Sequence, residues 1–75
     1  MNKERRKRIE AITDKLLEIQ SELEEIRSEE EEAYDNLPEQ FQDGERGEAM
    51  QEAISAMEDA DSSIQDAYDY LTDLI

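Results

Sequence analysis

Side chains that commonly carry catalysis are scarce in this 75-residue chain. It has no His and no Cys, so Ser–His and Cys–His arrangements and the usual zinc ligands are excluded. No Gly-rich phosphate loop is present, and neither acidic segment, 35–43 or 59–69, has the EF-hand spacing. Carboxylates without an enclosing pocket make poor acid–base catalysts. We therefore expect a protein that is not an enzyme and that uses no metal and no cofactor.

The abundant reactive group is the carboxylate. The chain has 23 Asp and Glu against 8 Lys and Arg, a net charge of −15. A run of carboxylates along a rod can imitate the regular charge of a nucleic-acid backbone and occupy a basic cleft. The alternative is a solvated helix face that only keeps the protein soluble. The predicted partner-binding residues are Glu24, Glu25, Glu29, Glu31 and Glu32.

The charge is unevenly distributed along the chain. Residues 1–8 hold five cations and one acid, a balance of +4, whereas residues 9–75 hold three cations and 22 acids, a balance of −19. A segment as acidic as residues 9–75 repels nucleic acid and anionic membranes, and it attracts basic protein surfaces. The expected partner is a basic host protein, such as a nuclease or another nucleic-acid-binding protein. A rival hypothesis uses the basic start to hold nucleic acid.

The elements that would display these charges follow from apolar spacing. Apolar residues recur at alternating intervals of three and four, the a and d positions of a coiled coil. The first ladder is Ile9, Ile12, Leu16, Ile19, Leu23, Ile26, Ala33 and Leu37. The second ladder is Met50, Ala53, Met57, Ala60, Ile64, Ala67, Leu71 and Leu74. They predict an all-α fold, an antiparallel two-helix coiled-coil hairpin that forms one domain over 1–75. Disorder is the competing explanation of such high charge, and sixteen seam positions in register argue against it.

Capping and helix-breaking residues place the ends of the helices. The first helix is predicted over about 2–36, with Asn2 as N-cap and with Pro38 disfavouring helical backbone before it. Residues 37–44 form the connection, in which Pro38 can open one helical turn. The second helix is predicted over about 45–75.

One antiparallel register pairs the two ladders. It sets Ile9 against Leu74 and Ile19 against Ile64, so that each Ala of the second ladder lies opposite a longer side chain. The same register brings the basic start beside the acidic end of the second helix. Glu30 falls in the seam near the connection, where its carboxylate can reach water.

Two helices bury only one stripe each, and a chain this small usually needs a further stabilising device such as oligomerisation. We therefore expect a homodimer that forms a four-helix bundle. The residues predicted for self-association widen the stripe beyond the seam: Leu17, Tyr34, Ile54, Tyr68 and Tyr70. Phe41 in the connection either covers the end of the seam or is an exposed anchor for a partner.

The connection also carries a resemblance. The stretch from Tyr34 to Gln42, followed by Glu45-Arg46-Gly47-Glu48 and Ala53-Ile54, resembles small acidic helical proteins encoded by phages and prophages of Gram-positive bacteria. Members share an Asn-[Leu/Met/Ile]-Pro-Glu-x-[Leu/Phe]-Gln connection and a Glu-Arg pair, but many place Ser where this chain has Gly44. The group has no settled function. Its setting implies an accessory product of a mobile element, a class that includes inhibitors of host proteins.

The sequence thus supports two functional hypotheses. The first is an acidic, phage-type inhibitor that occupies the nucleic-acid-binding surface of a host protein. The second is a structural coiled-coil module that assembles with itself and has no inhibitory role. No membrane span or secretion signal is evident, so the expected location is cytoplasmic.

Overall fold

The computed structural model describes all 75 residues, and every regular element in it is an α-helix. Helix α1 spans Lys3–Asp35, α2 spans Glu39–Gln42 and α3 spans Glu45–Thr72. The molecule is elongated, with principal extents of 58 × 15 × 12 Å. The all-α class predicted from the heptad spacing is confirmed.

The ends of α1 follow from its flanking residues. The Oδ1 atom of Asn2 accepts a hydrogen bond from the backbone N–H of Arg5 at 2.8 Å, which satisfies one of the unpaired donors of the first turn. The helix ends at Asp35, three residues before Pro38, with Asn36 as C-cap. The bounds therefore lie one residue inside the predicted 2–36 at each end.

At its C-terminal end α3 is shorter than predicted. Its last helical residue is Thr72, and residues 73–75 lie in a tighter turn. There the N–H of Leu74 bonds to the carbonyl of Leu71 at 3.1 Å, and that of Ile75 bonds to Thr72 at 3.3 Å. Bonds to the third preceding residue are a common way for a helix to close its final turn.

The connection is organised by Pro38 and Gln42. The Pro38 carbonyl accepts the N–H of Phe41 at 2.8 Å, which closes the short helix α2. The Gln42 side-chain amide donates to the carbonyls of Tyr34 and Leu37, both at 3.2 Å, and so ties α2 back to the end of α1. Gly47 lies buried in the first turn of α3, against the backbone of Gln42.

Helices α1 and α3 lie against each other and run in opposite directions. The side chain of Gln20 donates to Gln65 at 3.0 Å, and that of Gln51 donates to the Tyr34 hydroxyl at 2.9 Å. Residue numbers rise along α1 as they fall along α3, so the two bonds require antiparallel helices.

The line of contact on α1 is rotated from the predicted ladder. Its partly or fully buried residues are Ile9, Thr13, Leu16, Gln20, Leu23, Arg27, Glu30, Glu31 and Tyr34. All except Glu31 are positions a and e of the heptad rather than a and d. Ile12, Ile19 and Ile26, all d positions, are 47%, 48% and 53% exposed. The prediction that they face the other helix within the chain is therefore wrong.

Side-chain size explains the rotation. On α3 the a and e positions carry the larger side chains, and the partly buried ones are Met50, Ile54, Met57, Asp61, Ile64, Tyr68 and Leu71. Its d positions are mostly Ala. Apolar burial stabilises in proportion to area, so turning Ile54 and Tyr68 inward gains more than turning Ala60 inward. One helix can cover only part of a stripe that is three positions wide, and on α1 the d position is left uncovered, whereas Ala53 and Ala67 at d positions of α3 are half-buried.

The resulting core is thin. Only Thr13 and Gly47 fall in the fully buried class, and no hydrophobic side chain does. The Thr13 hydroxyl donates to the Glu10 carbonyl at 2.8 Å, so its polar group is satisfied inside its own helix. A single copy therefore leaves much of its apolar surface in water.

Candidate protein-interaction surfaces

Arg27 organises part of the predicted acidic site. It lies on the line of contact with its side chain 20% exposed, and it forms the two ion pairs of the molecule. Its Nε donates to Glu24 at 3.2 Å, its Nη2 makes a second bond to the same carboxylate, and its Nη1 donates to Glu31 at 2.6 Å. Two of the five predicted site residues are thus held by one guanidinium.

The pairing changes the acidity of these groups. The hydrogen bond from Arg27 holds the pKa of Glu24 below its usual range, because it favours the charged carboxylate. The bond to Glu24 likewise raises the pKa of Arg27, with a further contribution from Glu31. The charged form of Glu24 is therefore favoured, while the guanidinium of Arg27 offsets part of the negative field of both carboxylates.

The other three predicted site residues have no cationic partner. Glu25, Glu29 and Glu32 are exposed, and neither ion pair of the molecule includes them. Glu25 and Glu32 lie seven residues apart on the side of α1 that faces away from α3. Glu29 lies four residues after Glu25 and three before Glu32, so it adjoins the same side. The structure therefore divides the predicted acidic site into three carboxylates on the outer side of α1 and two, Glu24 and Glu31, beside Arg27.

Carboxylates form a regular row along the outer edge of each helix, and the sequence prediction included only Glu25 and Glu32 of these residues. Every c position from 18 to 32 on α1 and from 45 to 73 along α3 is acidic and exposed. The row consists of Glu18, Glu25 and Glu32 on α1, and of Glu45, Glu52, Asp59, Asp66 and Asp73 along α3. Seven residues of helix rise about 10.5 Å, so these charges recur at even intervals on the outer edges of the molecule. Assigning heptad letters to the charged residues, and not only to the apolar ones, would have found the row.

The five cations of the basic start are also exposed, and no ion pair connects them to the acidic end of α3. The predicted charge complementarity between the two ends therefore forms no ion pair within one chain.

The predicted self-association residues divide into two groups. Tyr34, Ile54 and Tyr68 are half-buried along the contact between α1 and α3. Leu17 and Tyr70 are 45% and 73% exposed. Three of the five residues predicted for self-association therefore already make contacts within one chain.

A different apolar surface is largely uncovered, and we call it the Ile–Ala face. It consists of the exposed d positions Ile12, Ile19 and Ile26 of α1, of exposed Ala60 and half-buried Ala53 and Ala67 of α3, and of exposed Leu74 in the turn after α3. In an antiparallel pair, the d positions of both helices lie on the same side of the contact line, opposite the e positions. Here the e positions include Gln20 and Tyr34, whose interhelical hydrogen bonds mark the other side.

The part of α3 beside this face carries no charge. Its neighbouring g positions are Ala49, Ala56, Ser63 and Tyr70. Together with the d positions they form a strip of eight uncharged residues, in a chain of which 41% is charged. Ala60 and Leu74 of the strip are exposed.

Two further sequence predictions concern single residues. Glu30 is half-buried on the contact line, so its carboxylate retains access to water. Phe41 is 51% exposed, and the partly buried side chains of the connection are Leu37 and Gln42. Half of the aromatic ring therefore remains accessible at the end of the rod.

The concave features of the surface are shallow. An open cleft beside the connection is lined by Glu31, Tyr34, Asp35, Gln51, Ile54 and Ser55. No group of three or more acidic side chains is arranged to hold a metal ion. None of the helices combines the length and the apolarity needed to cross a membrane. In comparisons with protein-family models, curated proteins and solved structures, this chain matches none of them.

Proposed function

We propose that this chain is a non-enzymatic, acidic protein-interaction module that works as an antiparallel coiled-coil hairpin and homodimer. Its most concrete form is a phage-type inhibitor that occupies the nucleic-acid-binding surface of a basic host protein. The observation that carries the proposal is the density of uncompensated carboxylate along a rigid rod.

The charge density can be compared with that of nucleic acid. A net charge of −15 over a length of 58 Å corresponds to one charge per about 4 Å. A single nucleic-acid strand carries one charge per about 3.4 Å. A cleft that binds such a strand through Lys and Arg therefore meets a similar linear charge in this protein. Solubility requires a much smaller net charge, since a magnitude of about 2 to 8 suffices for a small domain.

Within the proposal, the exposed and unpaired carboxylates make the contact. Glu25 and Glu32 belong to the outward row, and Glu29 adds a charge on the adjoining side. Glu24 and Glu31 contribute less, because Arg27 lies between them. Phe41 can add an apolar anchor at the connection end, since exposed aromatic residues often supply binding energy.

Affinity capture at two salt concentrations tests the proposal. The tagged protein is incubated with host lysate, washed at about 0.1 M and about 1 M salt, and the captured proteins are identified by mass spectrometry. The Debye length falls from about 10 Å to about 3 Å over that range. We expect a basic nucleic-acid-binding protein to be retained at low salt and lost at high salt. Recovery of the chain alone, or binding that persists at high salt, would contradict the proposal.

Matched charge variants localise the surface. Changing Glu25, Glu29 and Glu32 to Gln removes three unpaired carboxylates of α1. The control changes Asp59, Asp66 and Asp73 to Asn, which removes the same charge from the acidic row along the C-terminal half of α3. We expect capture to be lost only with the α1 variant. Equal losses would mean that the partner responds to total charge and not to the predicted site.

The exposed Ile–Ala face favours a second candidate function. If self-assembly through apolar contacts is the whole role of the chain, the acidic rows only keep the assembly soluble. Salt distinguishes the two functions, because apolar association holds or strengthens as ionic strength rises whereas electrostatic capture weakens.

A further inference from the structure

We propose that the Ile–Ala face is the surface on which a second copy of this chain docks, with α1 of each copy lying on α3 of the other. This inference names the interface of the homodimer in the proposed function, and it rests on that homodimer. It uses residues different from those that the sequence predicted for self-association.

The first argument is the unburied apolar surface. Ile12, Ile19 and Ile26 lie in one line, each about half exposed, while the molecule has no fully buried hydrophobic side chain. Covering them would complete the a, d and e stripe of α1 and enclose Leu16 and Leu23 from a second side. Three exposed Ile in a row beside an uncharged strip form the kind of continuous apolar patch that marks an interaction site.

The second argument is area. The side of the molecule that carries the face measures about 58 by 15 Å, or about 870 Å² in projection. A stable interface of standard size covers about 800 Å² per partner. One face of this rod is therefore large enough for a dimer.

The third argument is complementary shape, which selects the occupant and its orientation. The α1 part of the face is lined by Ile and the α3 part by Ala and Ser. When α1 lies on the partner's α3, Ile19 and Ile26 project into the space above small residues, where the helix axes can approach closely, while Ile12 meets the larger Tyr70 and Leu74 at the end of the strip. A two-fold axis parallel to the helices produces this arrangement at both contacts. It places both connections at the same end of the bundle.

Charge is consistent with the same arrangement. Each basic start, with a balance of +4, then lies beside two acidic α3 ends, its own and that of the other copy. Glu22 and Glu29 of α1 adjoin the uncharged strip of the partner's α3, so they meet no like charge there. The acidic c positions stay outside the interface.

Docking in this way would also change the charge density that a partner meets. Two copies side by side carry −30 over the same length of 58 Å, or one charge per about 2 Å. Duplex DNA carries one per about 1.7 Å. The dimer therefore approaches the linear charge of a duplex, whereas one copy approaches that of a single strand.

Sedimentation equilibrium with paired variants tests the interface. Ala60→Glu places a charge in the middle of the face at an exposed residue, so the fold of one copy should tolerate it. Ser62→Glu adds the same charge to the exposed outer side of α3. We expect the wild type and Ser62→Glu to sediment at twice 8.8 kDa at tens of micromolar. For Ala60→Glu we expect a dissociation constant raised at least about tenfold, because the interface would bury an unpaired charge.

A wild type that stays monomeric at 100 micromolar would overturn the inference, and so would an Ala60→Glu variant that dimerises as well as the wild type. Neither variant changes the α1 carboxylates, so salt-sensitive capture remains a separate test of the proposed function. If the chain forms dimers but captures no basic protein from the lysate, that result would count against the proposed function alone.

A single spin label tests the orientation. The chain has no Cys, so Asp43→Cys gives one attachment site in the connection of each copy. With both connections at one end, pulsed electron–electron double resonance should report a distance of about 15–30 Å between the two spin labels. This range is expected for flexible labels on neighbouring helices whose axes lie about 8–10 Å apart. A distance near the 58 Å length of the molecule would place the connections at opposite ends and overturn the proposed arrangement.

Discussion

Replacing Gly47 with Ala sets helix propensity against tertiary packing. Gly47 is the third residue of α3, where Ala is favoured by up to about 1 kcal/mol on propensity alone. Sequence reasoning therefore predicts that the variant is more stable. The structure predicts the opposite, because a Cβ at this position would lie 1.8 Å from the carbonyl oxygen and 2.4 Å from the carbonyl carbon of Gln42.

The cost can be estimated from the contacts that must move. The obstructing atoms are backbone, so a side-chain rotation cannot relieve the clash. Moving the connection away also disturbs the two 3.2 Å hydrogen bonds of the Gln42 amide, each worth about 0.5–1.5 kcal/mol. Overpacking of this kind typically costs about 1–3 kcal/mol. After the propensity gain of about 1 kcal/mol is subtracted, we expect a net loss of up to about 2 kcal/mol, or a Tm lower by up to about 16 °C for a chain of this size.

Thermal and urea unfolding followed by circular dichroism at 222 nm measure this loss, with all variants at the same protein concentration. Gly44→Ser is the matched control. Its Cβ would lie 3.6 Å from the nearest atom, the Phe41 carbonyl oxygen, and Ser is a good N-cap for α3. We expect its stability to stay within a few tenths of a kcal/mol of the wild type. A Gly47→Ala variant with a higher Tm than the wild type would refute the close approach of the connection to α3.

Three further predictions concern the cap and the charges. Gln42→Ala should lower stability by about 1 kcal/mol in urea unfolding, because it removes both side-chain bonds to the end of α1; an unchanged midpoint would show that these bonds contribute nothing. The pKa of Glu24 is lowered in the folded chain, so its stabilising contribution is present above the usual pKa of 4.5 and is lost as the pH falls through the lower folded value. The difference in Tm between the wild type and Glu24→Gln should therefore be visible at pH 7 and vanish at strongly acidic pH, and a difference that grows on acidification would contradict the pairing with Arg27. Raising the salt concentration from about 0.01 to 1 M should increase the Tm of the wild type. Salt screens the repulsion among the carboxylates that give the net charge of −15, and this effect should outweigh the weakening of the two ion pairs of Arg27. A Tm that falls with salt would mean that the ion pairs dominate.

Local chemistry in the sequence was enough to predict the helices. Asn2 starts α1 because its side chain accepts a backbone N–H, and Pro38 prevents α1 from continuing through the connection. These effects act within a few residues and need no knowledge of the rest of the fold. The acidic rows are equally local, because heptad spacing alone places the c positions on the outward side of each helix.

The orientation of each helix about its own axis depended on the tertiary structure. The apolar stripe of α1 is wide enough to present either Ile12 or Thr13 to its neighbour, and heptad spacing alone does not choose between them. The choice is made by α3, whose bulky residues occupy positions a and e whereas its d positions are mostly Ala. Burial is a property of two matched surfaces, so it is decided only when both helices are in place.

The sequence by itself determined that this protein is helical, strongly acidic and without His or Cys. Only the tertiary structure decided that the backbone of Gln42 packs against Gly47 and that Arg27 joins Glu24 to Glu31. It also decided that three d positions of α1 remain uncovered, namely Ile12, Ile19 and Ile26. The physical reason is the range of the interactions. Capping and propensity act over one helical turn, whereas steric contact and burial depend on which distant segments the fold brings together.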